Sequence, residues 1–180
     1  MKLASLELQN FKAIGDEPQR IDFAPITLLF GPNSAGKSTI IQALVFLREI
    51  LLHRNLNPDF TELGGDWLDL GGFESLVNSH DRSKRVVVSI EIAGAQIGVS
   101  EFWDSRDDDA LDSWEGGSIS NFLEDIESVR LSVTVAYSER TESTYCPRFE
   151  VGVNGDFMIR IETDTDGQNP AISKINFDHP

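Results

Sequence analysis

The sequence predicts an α/β fold, mixed as α+β over its 180 residues. Three observations carry this. Residues 26–30, Ile-Thr-Leu-Leu-Phe, are a short apolar run of the kind a strand buried on both faces requires. Residues 31–38, Gly-Pro-Asn-Ser-Ala-Gly-Lys-Ser, follow as a glycine-rich turn, and residues 39–53 are a helix-length stretch dense in Ile, Leu, Val and Phe. After residue 85 the apolar pattern changes to period two, which belongs to strands.

Residues 3–11 open the chain as a strand, with Leu6 and Leu8 alternating with Glu7 and Gln9, so one face is buried and one wet. Residues 21–23 give a second short strand, and Gly15-Asp16-Glu17-Pro18 supplies the turn between the two. Pro25 breaks the run before residues 26–30. The helix from Lys37 carries Ile40, Ile41, Leu44, Val45, Leu47 and Leu51 on several sides, so burial on all sides is expected. Residues 54–84 read as loop-rich. They contain Leu-Gly-Gly twice, at 63–65 and 70–72, and a short helical turn at 73–78.

In the second half, Val86, Val88, Ile90 and Ile92 form one apolar face, and Val129, Leu131, Val133, Val135 and Tyr137 form another. Phe149, Val151 and Val153 run into Asn154-Gly155-Asp156, and Phe157, Ile159 and Ile161 follow. A three-residue loop would pair Val153 with Phe157 and Val151 with Ile159. This register keeps one apolar face, so it is the expected hairpin. Residues 171–177 add a last strand. The chain thus divides into strands, turn and helix (1–54), a loop-rich connection (55–84) and an antiparallel β-rich lobe (85–180) holding an acidic loop at 104–118. It shows no second strand–helix–strand unit.

Charge is unevenly spread within a net −15. Residues 1–54 hold six Lys/Arg and five Asp/Glu, and residues 55–180 hold nine and twenty-five. Residues 101–127 contain ten acids and a single base, Arg106. Such a surface repels phosphate backbones, so the acidic lobe is excluded as a nucleic-acid footprint. No 18-residue apolar stretch exists, so no membrane partner is expected. One cysteine, Cys146, excludes an internal disulfide framework, and the cytoplasm is the expected compartment. His53, His80 and His179 share no ligand spacing with each other or with Cys146.

The turn at 31–38 completes the pattern Gly-x4-Gly-Lys-Ser, and each part of that pattern has a physical task on a nucleoside triphosphate. Backbone N–H groups wrap the phosphates while a helix N-terminus directs its positive end at them. Lys37 would reach the β- and γ-phosphates, and the Ser38 hydroxyl would hold Mg²⁺.

With Leu-Glu-Leu-Gln-Asn-Phe-Lys at 6–12 and Ile-Asp-Phe-Ala-Pro-Ile-Thr-Leu-Leu-Phe at 21–30, the loop resembles that of the ABC-type P-loop ATPases of the SMC, RecF and OLD group. The similarity covers about residues 3–50. Residues 69–77 resemble a segment of bacterial AAA-labelled relatives, some of them in anti-phage systems. The resemblance implies ATP and Mg²⁺ as ligands, with Gly31, Pro32 and Asn33 in the loop and Asn33 facing the γ-phosphate. It implies that Ser34, Ala35, Gly36 and Lys37 give amides to the β-phosphate, that Ser38 ligates Mg²⁺ and that Thr39 contacts the α-phosphate. It also brings Lys12 near the nucleotide.

The group's other working parts have no match. No apolar strand ends Asp-Glu, no Ser-Gly-Gly signature is present, and Leu70-Gly71-Gly72 lacks the serine. Residues 86–91 end in Glu91 but read as a β-strand. The resemblance therefore implies the N-terminal portion of a longer ATPase, incomplete as a core and weak or inactive alone. The whole would act as a homodimer closing head to head on two nucleotides, in DNA repair, DNA maintenance or anti-phage defence. The alternative is an ATP-binding sensor that docks or restrains an effector such as a nuclease.

Overall fold

The computed structural model describes residues 2–33, 36–53, 61–63, 66–68, 70–94, 126–165 and 167–177. Its frame is one seven-stranded sheet, antiparallel throughout, in the order β2-β1-β5-β6-β7-β8-β9. The strands are β1 (Lys2–Gln9), β2 (Gln19–Asp22), β5 (Val86–Ala93), β6 (Ser128–Ser138), β7 (Ser143–Val153), β8 (Asp156–Glu162) and β9 (Ala171–Ile175). Strands β3 (Thr61–Leu63) and β4 (Asp66–Leu68) form a separate pair. The α-helices are α1 (Lys37–Arg48) and the five-residue α2 (Gly72–Leu76).

The period-two pattern works as expected. Leu6 and Leu8 of β1, Val86 and Val88 of β5, and Val133 and Val135 of β6 are fully buried in one core. Phe46 and Leu47 of α1 close that core, together with Leu70, Phe73, Leu76 and Val77. Residues 70–77 form a core strap, and its helix α2 falls on the short helical turn expected at 73–78. An isolated bridge from Phe11 to Val77 pins the strap. The Lys12 amide also donates to the Leu76 carbonyl at 2.7 Å, and the Asn78 amide to Asn10 at 2.9 Å.

Three expectations are corrected. Residues 26–30 are not a buried strand: Ile26 is 81% and Phe30 85% exposed, and no ladder partner flanks the segment among the described residues. A strand buried on both faces needs a neighbour on each edge. Instead, the Thr27 hydroxyl accepts from the Ala24 amide at 2.9 Å and donates to its carbonyl at 3.2 Å, closing a local turn around Pro25.

Helix α1 is not buried all round, because Ile41 lies 57% exposed while Ala43, Val45, Phe46 and Leu47 are inside. The helix runs on into a π-helical turn, Glu49–His53. Glu49 is only 2% exposed there, with the Arg48 guanidinium 3.7 Å and the His53 ring 3.9 Å from its carboxylate.

The hairpin is the third. Val151 does pair with Ile159, but Val153 pairs with Asp156 and Gly152 with Phe157. Asn154 (φ 52°) and Gly155 (φ 88°) form a two-residue turn with both positions left-handed, the conformation Asn-Gly favours. A bulge past Gly152 then restores the apolar register by leaving Met158 over. The Met158 carbonyl accepts the Asn176 amide at 2.8 Å. A side chain at Gly152 would come within 2.8 Å of the Asp156 carbonyl, so the turn requires glycine there as well.

Candidate functional site

The glycine-rich turn leads directly into α1. Gly36 is the N-cap, with φ 83° and ψ 7°, a left-handed conformation without cost only for glycine. Lys37 is the first helical residue. Its Nζ turns back over the turn and donates to the carbonyl oxygens of Gly31 at 2.8 Å and Pro32 at 2.6 Å. Gly31, Pro32, Asn33 and Ser38 are exposed, and Thr39 is buried with its amide donating to Gly36 at 3.1 Å. Ser34 and Ala35 lie outside the described residues, as does the acidic loop at 104–118.

This arrangement sets an ammonium over the mouth of the turn, at the positive end of a twelve-residue helix. Neutral carbonyls are weak acceptors for it. An oxygen carrying charge would form a stronger, charge-assisted bond to the same Nζ. The open space around a Cβ at Gly36 and the exposed Ser38 hydroxyl suit a phosphorylated ligand with its divalent cation.

Lys12 lies just past the end of β1. Its Nζ donates to the Leu70 carbonyl at 3.4 Å, its backbone is left-handed (φ 50°), and its own carbonyl accepts from Asn78 Nδ2 at 2.8 Å. Its contacts tie β1 to the strap. The helical turn of the strap was expected, but its burial in the core escaped the sequence reading. Its signal was there in the spacing of Leu70, Phe73, Leu76 and Val77, which is that of one helical face.

Glu91, the acid that ends the apolar run 86–90, is already engaged. Arg20 donates to it at 2.9 Å and the Ser5 hydroxyl at 3.2 Å. Strand β5 lies between β1 and β6 and is antiparallel to both, so Glu91 faces neighbouring strands as a cross-strand partner.

A family model described as AAA ATPase domain matches residues 1–169 of this chain. The chain belongs to the AAA ATPase domain family. The expected recognition of a P-loop ATPase thus stands, and with it the mixed α/β fold. A search of curated proteins finds no match to this AAA ATPase domain. Among solved structures, one from work on ATP-driven dimerization and DNA-stimulated activation of SMC ATPases is similar at 17% identity and a TM-score of 0.47. The match covers 87% of this chain and 72% of that one. No helix among the described residues of the AAA ATPase domain is long and apolar enough to cross a membrane.

Proposed function

We propose that this chain binds Mg-ATP at residues 31–39 and serves, in a full-length dimeric protein, an ATPase that converts hydrolysis into conformational change. The observation that supports it is Lys37 Nζ held over Gly31 and Pro32 at the N-terminus of α1. Lys37 reaches the β- and γ-phosphates, and the amides of Ser34 through Lys37 wrap the β-phosphate. Asn33 faces the γ-phosphate, Thr39 lies at the α-phosphate and Ser38 holds Mg²⁺. The cation neutralises charge on the phosphates when bound. Residues 1–54 supply this grip, residues 55–84 connect, and residues 85–180 form the β-rich lobe.

A cytoplasmic setting follows from an ATP ligand and a single cysteine. The pathway we favour is DNA repair, DNA maintenance or anti-phage defence. Nucleic acid would be met through the full-length protein and not through the acidic lobe.

The test is Lys37→Ala, read by binding of a fluorescent ATP analogue. A loss of at least tenfold in affinity is expected, a change worth about 1.4 kcal/mol. Unchanged affinity overturns the assignment.

One observation favours a second reading, an ATP-binding sensor that docks or restrains an effector such as a nuclease. Glu91 is committed to Arg20 and Ser5, and no other described acid ends an apolar run as a water-activating base would. Either reading leaves the 180-residue chain alone weak in turnover, so the full-length protein separates them: brisk ATP hydrolysis there would remove the sensor reading.

A further inference from the structure

Of the chain's asparagines, Asn154 alone precedes a glycine. Asn57 and Asn169 precede prolines, and Asn10, Asn121 and Asn176 precede phenylalanines. The following residue matters because an asparagine Cγ can close a five-membered ring with that residue's backbone nitrogen. Proline has no N–H to give up, and a large side chain crowds the approach. Glycine leaves the nitrogen open. Asn154 and Gly155 are also both exposed, at the tip of the β7–β8 hairpin, where water has access.

The fold holds this pair in a conformation that opposes the ring. Asn154 has φ 52° and Gly155 φ 88°, both left-handed. Closure needs the Cβ of Asn154 and the Gly155 nitrogen eclipsed about the Cα–C bond, which lies well away from the left-handed ψ. The side chain is tied down as well. Its Oδ1 accepts from the Glu127 amide at 2.7 Å and the Ser128 amide at 3.0 Å, while the Asn154 amide donates to the Ser128 carbonyl at 2.9 Å. Swinging Cγ onto Gly155 breaks both side-chain bonds and takes the backbone out of the turn.

We propose that Asn154 is a self-modification site, gated by the hairpin: it deamidates through Gly155 when the turn opens and is held back while the turn is folded. The Gly155 nitrogen gives its proton to solvent and bonds to Cγ of Asn154. The Cγ–Nδ2 bond breaks, and Nδ2 takes a proton and leaves as ammonia. Water then opens the cyclic imide, and no oxidation state changes. Opening at Cγ gives aspartate, which keeps an oxygen acceptor for Glu127 and Ser128. Opening at the backbone carbonyl gives isoaspartate, whose main chain runs one atom longer through Cβ and Cγ. A two-residue turn has no room for that atom, so the pairing of Val153 with Asp156 and the anchor at the start of β6 are both lost.

The test incubates the whole 180-residue chain at mildly alkaline pH in oxygen-18 water, in buffer and in urea. Mass spectrometry of the peptide spanning residue 154 follows the conversion, and the heavy oxygen marks ring opening. The rate in urea should exceed the rate in buffer by about tenfold or more, the factor that two ordinary hydrogen bonds supply. Asn154 should be the first asparagine to convert in urea. Gly152→Ala should bring the rate in buffer toward the rate in urea, because a Cβ there stands 2.8 Å from the Asp156 carbonyl and loosens the turn. The same rise is expected if that variant fails to fold. The isoaspartyl chain, once refolded, should show a lower urea midpoint than the native chain. Equal rates in buffer and urea, earlier conversion of another asparagine in urea, a Gly152→Ala chain as slow as the native one, or an isoaspartyl chain with the native midpoint would overturn the proposal.

Discussion

The rings of Phe11 and Phe46 lie 6.4 Å apart, centre to centre, and both are fully buried. Phe11 follows β1 and is bridged to Val77, while Phe46 lies on α1, whose first turn carries Lys37. This pair therefore connects the sheet, the strap and the helix that positions the candidate site. Truncating Phe46 to alanine leaves a cavity where three elements meet. The expected loss is about 3–5 kcal/mol, read as a lower urea midpoint with little change in slope. A loss under ~1 kcal/mol would show that the contact is not structural.

Gly36 is predicted to matter through its backbone alone. A Cβ there meets nothing within 4 Å, so the cost of Gly36→Ala is the left-handed φ of 83°. That strain is roughly 1–2 kcal/mol. The loop should relieve it by shifting, which moves the Lys37 amine off Gly31 and Pro32. ATP-analogue affinity should fall about tenfold while the melting temperature falls by a few degrees. Gly94→Ala is the control: its φ is 66°, its surroundings are equally open, and it closes the other end of β5. If both variants weaken nucleotide binding equally, the effect is not local to the loop.

How much of this could be read beforehand depended on whether the stabilising partner lay nearby in sequence. The alternation on β5 and β6 gave both strands and their buried face, because period two is a local property. The phosphate-type loop was readable for the same reason, since its residues are consecutive. Residues 26–30 misled because strand burial is decided by neighbouring strands, which composition does not show. The hairpin was half right: Val151–Ile159 followed from the apolar face, but the turn preference of Asn-Gly prevailed and the bulge at Met158 reconciled the two. The Lys12 amine bonds Leu70, fifty-eight residues away. Nothing local announces such a partner.

Asn154 is expected to act twice. Its Oδ1 accepts from the amides of Glu127 at 2.7 Å and Ser128 at 3.0 Å, which fixes the start of β6, and its backbone holds φ 52°. Asn154→Gly keeps the φ and removes both bonds, at about 0.5–1.5 kcal/mol each. Asn154→Ala removes the bonds and adds left-handed strain of roughly 1–2 kcal/mol. Chemical denaturation should therefore rank native above Asn154→Gly above Asn154→Ala. Equal stability for the two variants would mean that the turn relaxes out of its left-handed conformation at no cost.

Cys146 carries the pH prediction. Burial raises its thiol above the ordinary cysteine range, and hydrogen bonding to backbone of Arg148 and Thr134 offsets only part of this. The Sγ–Arg148 carbonyl distance is 3.3 Å. In the unfolded chain the thiol ionises at its ordinary value, while in the fold it keeps its proton to higher pH. Its contribution to stability is thus whole below the ordinary thiol range and is lost as pH rises through the raised value. Denaturant midpoints should decline on the alkaline side in the native chain and decline less in Cys146→Ala. Reaction with a thiol reagent near pH 8 should also be slow until denaturant is added, because the thiolate is the nucleophile. Prompt labelling of the folded chain at that pH would contradict the raised value, and an identical alkaline limb in Cys146→Ala would place the pH dependence on other groups.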